Sequence, residues 1–276
     1  MTEPIAPRSG TRVSPSEFAE LRATAVALAD GARKATLPFF RAPGLAADNK
    51  HETGFDPVTE ADRTAERAMR AILAERRPGD AILGEEMGAS AGNSGYTWVL
   101  DPVDGTRAFL AGAPTWGVLI AVADSDGPIL GVIDQPYTRE RWEGGRGFSR
   151  FSGPHGSQPL ATRAPRALDD AILFSTFPEI GTPEERAAFE RVSRRAQLTR
   201  YGLDCYAYGL LALGQIDLVI EAGLHPYDIC APIAVIEAAG GIVTNWAGDP
   251  AHGGGRVIAA ANRSIHDEAL ALLYSA

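Results

Sequence analysis

Cysteine is nearly missing from this chain. Cys205 and Cys230 are the 2 among 276 residues, which excludes a disulfide-stapled scaffold and a Cys-rich zinc module and fits a reducing, cytoplasmic setting. Long apolar runs are missing too. A spanning helix needs about 20 consecutive apolar residues, whereas the longest candidate, Trp116–Ala123, has the length of a strand, so no membrane association is expected. Met1 to Val13 carries Pro4, Pro7, Arg8 and Gly10 but no apolar core of a signal peptide; residues 1–15 read as a flexible N-terminal tail. Positive charge is in short supply: 26 Lys and Arg stand against 35 Asp and Glu, a net charge of −9. That is the wrong sign for a protein that works by neutralising nucleic-acid phosphates. What remains, 45% hydrophobic and 22% charged residues, is the composition of a folded globular protein.

Several familiar motifs are also absent. No Gly-x-x-x-x-Gly-Lys-Ser/Thr occurs, and Gly145-Arg146-Gly147 has Arg150 where the third glycine of a dinucleotide fingerprint should stand. Ser149 lacks the second glycine of a nucleophile elbow. His51, His155, His225, His252 and His266 are scattered without metal-ligand spacing and read as surface or satisfied loop residues.

The chain is, however, well punctuated. Ser14-Pro15-Ser16-Glu17 has the pattern of a capping box with proline at the first helical position, predicting a helix to about Leu37. Thr59-Glu60-Ala61-Asp62 opens a second helix, with Ala65, Ala68, Met69, Ile72 and Leu73 on its apolar face and Arg77-Pro78-Gly79 as its stop. Two helices are thus expected before any sheet. Strands follow at Ala81–Gly84, Tyr96–Leu100, Thr115–Ala123 and Ile129–Asp134, with a hairpin or meander expected after Ala123. Beyond residue 165 strands are expected near Ala171–Ser175, Leu198–Tyr201, Ile216–Glu221, Ile242–Asn245 and Val257–Ala260. Helices are expected after Thr182, through Cys205–Leu213, from Pro226 to Ala239 and from Ser264. The fold class is α/β, with α and β layers alternating in a sandwich. The Gly-, Pro- and Ser-rich passage Gly144 to Pro165 reads as a seam, dividing one domain, 16–276, into subdomains of about 16–150 and 151–276.

Carboxylates gather at the ends of these elements. Asp101-Pro102-Val103-Asp104-Gly105-Thr106 follows the apolar strand Thr97–Leu100, at the strand end where open α/β sheets keep their sites. Pro102 removes a ladder donor and is expected to force a turn that frees the Val103 carbonyl. Gly105-Thr106 permits close backbone approach and starts a helix whose N–H groups favour a phosphate oxygen. Gly84-Glu85-Glu86 ends a second strand in adjacent acids, and Asp228 stands in the first turn of the helix after Pro226. Each acid alone has a plain explanation: Asp62 as a capping-box acid, Asp228 as a helix-dipole partner, Glu85-Glu86 as a solvated turn. Four segments converging on the same chemistry read instead as a hard-oxygen site for Mg²⁺ or Mn²⁺ facing a phosphate.

These residues resemble a known family. Asp56-Pro57-Val58-Thr59-Glu60-Ala61-Asp62, Gly84-Glu85-Glu86, Trp98-Val99-Leu100-Asp101-Pro102-Val103-Asp104-Gly105-Thr106, and Tyr227-Asp228 followed by Ala238-Ala239-Gly240-Gly241 are similar in order and spacing to the inositol monophosphatase-like family, from about Ser16 to the C-terminus. The resemblance implies that Glu85, Asp101, the Val103 carbonyl, Asp104 and Asp228 hold two or three Mg²⁺ ions, with Asp101 bridging and Glu85 sharing in catalysis. It implies that Asp62 and Thr106 orient and deprotonate the attacking water, that Gly105 and Thr106 bind phosphate through their N–H groups, and that the chain forms a homodimer. Two positions depart from the pattern: Tyr227 stands where tryptophan is usual, and Val103 where isoleucine is frequent. Val103 offers only its carbonyl, so that change is harmless. Tyr227, with Ile133-Asp134-Gln135-Pro136, Glu140-Arg141-Trp142 and Tyr201–Tyr208, looks like the histidinol-phosphatase branch. Asp204 would suit the ammonium of L-histidinol phosphate, with Glu221 assisting, although Asp204 also reads as an N-cap and Glu221 is shared with polyol-specific relatives. Inositol 1-phosphate or another small phosphomonoester is the alternative substrate, and a non-catalytic partner in RNA-processing or transcription complexes the remote one.

Overall fold

The computed structural model describes residues 13–44, 47–49 and 57–274. Most of the expected tail, together with His51 and Asp56, lies outside them. Ser14 caps α1 (Pro15–Thr36) through its side chain, which accepts from the Glu17 N–H. A short antiparallel ladder, β1 (Ala47–Asn49) on β2 (Pro57–Thr59), then precedes α2 (Glu60–Arg76). The expectation of two helices before any sheet is therefore corrected, because runs of three residues carry no periodicity to read. Thr59 and Asp62 form a full capping box at the start of α2.

Next come β3 (Ala81–Gly84), β4 (Gly88–Ser90), β5 (Thr97–Asp104), α3 (Thr106–Ala111), β6 (Gly117–Asp124), β7 (Gly127–Gln135), β8 (Glu140–Gly145), β9 (Phe148–Gly153) and β10 (Gly156–Gln158). All the strands among them join one sheet in the order β10-β9-β8-β7-β6-β5-β3-β4, antiparallel except where β3 runs parallel to β5. The passage Gly144 to Pro165 thus holds the end of β8 and all of β9 and β10. Its glycines read as loop punctuation, but the chain meanders there as an edge ribbon. After a 3-10 turn at Leu168–Asp170 follow β11 (Ile172–Ser175), α4 (Pro183–Ser193), β12 (Leu198–Tyr201), α5 (Cys205–Ala212), β13 (Leu218–Leu224), α6 (Pro226–Ala238), β14 (Ile242–Asn245), β15 (Gly255–Ala260) and α7 (Arg263–Tyr274). The second sheet runs β12-β11-β13-β15-β14.

Alternation of side chains along the strands fixes the layers. Val118, Ile120 and Val122 of β6 pack with Leu21, Leu28, Ala65 and Met69 of α1 and α2. The intervening Leu119 and Ala121 pack on the other face with Leu211 and Ile229 of α5 and α6, which in turn meet Val219 and Ala259 of the second sheet. Leu218 and Ile220 face outward to Phe189 of α4 and Ile265 of α7. Five layers result, α-β-α-β-α, and both sheets are covered on both faces, which is why their strands read as continuous apolar runs. His266 lies buried in α7 with its ring 2.8 Å from Thr244 Oγ1, not in a surface loop. Among the described residues no helix is long and apolar enough to cross a membrane.

Candidate metal and phosphate site

Register brings the acids together. Because β3 and β5 run parallel with Gly84 opposite Leu100, Glu85 and Asp101 leave the pair side by side, and the Glu85 N–H donates to the Leu100 carbonyl at 3.1 Å. Three residues apart on a regular strand, Asp101 and Asp104 would face opposite ways. They do not, because Asp101 pairs with Leu119 and Asp104 with Gly117, so β5 spends three steps where β6 spends two. This bulge stands where a turn at Pro102 was expected. The strand continues through Pro102, whose missing N–H suits an interrupted ladder, and the Val103 N–H donates to Asp101 Oδ1 at 3.0 Å.

Oxygens of Asp101, Asp104 and Asp228 lie within 4.8 Å of one another, the one such group among the described residues. Asp228 reaches it from the third position of α6, where Pro226 starts the helix and the His225 N–H donates to Asp228 Oδ2 at 2.6 Å. Asp104 is held by the Cys205 N–H at 2.6 Å. Burial pushes the Asp101 carboxyl well up, and the charges of Glu85, Asp104 and Asp228 push it further. Burial does the same to Asp104, aided by Asp204 and Asp228. One buried and two half-buried acids, all hard oxygen donors, fit a divalent cation. All of them line a cavity of about 390 Å³ with Glu85, Val103, Gly105 and Thr106. A larger hollow of about 620 Å³, between the β6–β7 and β8–β9 turns and α6, contains none of these residues.

On the other side of Thr106 stands Asp62, fully buried. Thr106 Oγ1 lies 3.1 Å from the Val103 carbonyl and 3.4 Å from Asp62 Oδ1. Gly105 caps α3 at φ 81°, and a Cβ there would come within 2.8 Å of Asp204 Cγ, so only glycine lets the two segments touch. Asp204 occupies the N-cap position of α5 but makes no side-chain cap bond. Its backbone, φ 45° and ψ −140°, is strained for a non-glycine residue. Burial raises its carboxyl to about 6, against the pull of Arg107. Glu221 lines the same cavity, but its carboxylate is turned to the chain: Oε1 accepts from the Thr176 N–H at 2.7 Å and Thr176 Oγ1 at 2.9 Å. Burial lifts it to about 8.

One contributor escaped the sequence. Glu66, fully buried in mid-α2, accepts from the Glu86 N–H at 2.7 Å, the Met87 N–H at 3.2 Å and Arg70 Nε at 2.7 Å. It lies under Gly84, where a Cβ would clash with it at 2.1 Å, and so sets the loop that carries Glu85. Beside Arg70 it reads as an ordinary i,i+4 surface pair.

The chain matches the model of the inositol monophosphatase family over residues 17–276. It is 39% identical to the bifunctional phosphatase IMPL2, chloroplastic, of Arabidopsis thaliana, over 96% of this chain and 78% of that protein. To the histidinol-phosphatase of Mycobacterium tuberculosis it is 36% identical, over 90% and 96% of the two chains. An inositol-1-monophosphatase of Caulobacter vibrioides is 31% identical, over 80% and 88%. Among solved structures, an inositol monophosphatase from Zymomonas mobilis superposes with a TM-score of 0.83 at 41% identity, covering 95% of this chain and all of that one. A layered fold shared from end to end, and relatives similar over nearly their whole length, make this chain a phosphatase of the inositol monophosphatase family.

Proposed function

We propose that the chain hydrolyses L-histidinol phosphate to L-histidinol and phosphate, with Mg²⁺ as its metal. The observation that carries the substrate is Asp204: a half-buried, strained carboxylate with no side-chain cap bond, lining the cavity beside the metal-site acids. An anionic side chain there favours an alcohol bearing an ammonium over a neutral polyol. The histidinol-phosphatases of M. tuberculosis, Chlorobaculum parvum and Streptomyces coelicolor, at 31–36% identity, support the same assignment. Inositol-1-monophosphatases at 30–31% identity keep inositol 1-phosphate as the second reading.

In this assignment Glu85, Asp101, Asp104, Asp228 and the Val103 carbonyl would hold two or three Mg²⁺ ions, Mn²⁺ being the other candidate. Divalent cations there supply Lewis-acid charge to the phosphate and to the attacking water. The chain's own part begins at Thr106, whose hydroxyl oxygen accepts a proton from water while its own hydrogen passes to Asp62 Oδ1. Thr59 fixes the other Asp62 oxygen through its N–H and hydroxyl, which keeps Oδ1 turned toward Thr106. The N–H groups of Gly105 and Thr106, at the start of α3, would orient a phosphate oxygen. The part built on the first sheet thus carries most of the metal and phosphate chemistry, while the part built on the second brings Asp228, Asp204 and Glu221. A homodimer in the cytoplasm belongs to the same proposal.

Phosphate release with and without Mg²⁺ tests it, across L-histidinol phosphate, inositol 1-phosphate and glycerol 2-phosphate. Histidinol phosphate should give the highest kcat/KM; faster turnover of inositol 1-phosphate would overturn the substrate and leave the phosphatase standing.

A further inference from the structure

The cavity that holds the acids is polar at its base and flat at its rim. Phe177 is 42% exposed there, the Arg107 guanidinium lies 4.8 Å above its ring, and His225 stacks on Tyr227 at 5.0 Å and 21°. Single exposed aromatics are ordinary on protein surfaces. This one is not loose. Thr176, the residue before it, is tied by both its N–H and its hydroxyl to the buried Glu221 carboxylate, at 2.7 and 2.9 Å. Arg107 grips the ring from α3, directly after the Gly105-Thr106 pair. The ring is therefore fixed from both halves of the molecule, beside the segment assigned to phosphate, in a cavity whose other aromatic lining is the His225–Tyr227 pair, stacked on itself.

We propose that Phe177 is a specificity-determining residue, selecting phosphomonoesters whose alcohol carries a planar aromatic or heteroaromatic ring. This rests on the phosphatase reading above and adds to it: Asp204 recognises charge, Phe177 recognises flatness. A ring in the cavity stacks in offset or edge-on geometry on Phe177, at centroid separations of about 4.5–7 Å, while a puckered polyol covers the same face with hydroxyls that gain nothing from it. Glu221 acts here as a positioning residue, since its two bonds to Thr176 set where the Phe177 backbone stands.

The test is kcat/KM for wild type, Phe177→Leu and Phe177→Tyr on four compounds: L-histidinol phosphate (ring and amine), 2-phenylethyl phosphate (ring alone), phosphoethanolamine (amine alone) and glycerol 2-phosphate (neither). Phe177→Leu should lower the ratio of ring-bearing to ring-lacking substrates roughly fivefold to tenfold, chiefly through KM and in both the amine and amine-free pairs. Phe177→Tyr should keep the ratio within about twofold, since the flat face survives. An unchanged ratio in Phe177→Leu, or a fall confined to the amine pair, would overturn the proposal. If wild type releases phosphate from none of the four, the activity fails rather than the ring preference. Calorimetric titration with 2-phenylethyl phosphate then decides, equal affinity in wild type and Phe177→Leu refuting the proposal and weaker binding in the variant upholding it.

Discussion

Asp62 serves Thr106 with one oxygen and Thr59 with the other. Oδ1 lies 3.4 Å from the Thr106 hydroxyl, while Oδ2 accepts from the Thr59 N–H at 2.9 Å and its hydroxyl at 2.5 Å. The capping-box role and the proposed catalytic role are thus two ends of one carboxylate, and they separate under mutation. Thr106→Ala should lower kcat roughly a hundredfold with little change in Tm, and Thr106→Ser should restore most of it. Asp62→Ala should lose turnover and also about 1 kcal/mol of stability through the lost cap. Paired kinetics and thermal melts check this; equal stability losses in Asp62→Ala and Thr106→Ala would contradict it.

Crowding Asp101 with Asp104 and Asp228 gathers like charge that a bound cation would offset. Asp101→Asn should melt a few degrees above wild type in chelator, because one of three gathered charges is gone. Wild type should gain about 2.7 kcal/mol at a hundredfold excess of Mg²⁺ over its Kd, and the variant little. Phosphate release should fall at least about a hundredfold. A retained Mg²⁺ shift, or near-normal rates, would remove Asp101 from the metal site.

Asp204 gives the pH dependence a sign. Its carboxyl is raised to about 6 by burial, so it is ionised above that pH and protonated below. KM for L-histidinol phosphate should therefore rise as pH falls through about 6, more steeply than KM for glycerol 2-phosphate, whose phosphate titrates over the same range but which has no ammonium. Asp204→Asn should bring the two profiles together. Parallel profiles in wild type would exclude Asp204 as the ammonium's partner.

Glu66 touches no expected substrate atom, yet it holds the Glu85 loop. Glu66→Gln replaces an acceptor facing three donors with an amide that turns a donor toward one of them, costing about 1–3 kcal/mol. Mg²⁺ affinity should weaken roughly tenfold to a hundredfold, measured by calorimetry. Unchanged affinity in a destabilised protein would make Glu66 a purely structural group.

Much of this was legible because the chain marks its own boundaries. Ser14, Thr59 and Thr182 announce α1, α2 and α4 through side chains that do cap them. The strand-end acids are visible because carboxylates directly after apolar runs are unusual. Three things were not visible. The ladder of β8, β9 and β10 hides behind glycines at 144, 145, 147, 153 and 156, and only pairing makes it sheet. Glu66 is indistinguishable from a solvated helix residue until Gly84 is placed above it. Pro102 announces that something interrupts β5, but whether by turn or bulge depends on the partner strand, which no local pattern contains.

That bulge sets how the site can be lost. Substitutions at Asp101 or Asp104 remove a carboxylate and leave the frame intact, whereas deleting Val103 would make the ladder regular: the two acids would stay on one face, two residues apart, but the bulge and the carbonyl 3.1 Å from Thr106 Oγ1 would be gone. One oxygen donor of the cavity and the anchor of the Thr106 hydroxyl would then be lost in a single step. Melting of such a deletion variant should show a weakened but cooperative fold with a smaller Mg²⁺-dependent shift in Tm than wild type. In an alignment, a single gap column between these two aspartates would therefore say more about lost activity than any substitution beside it.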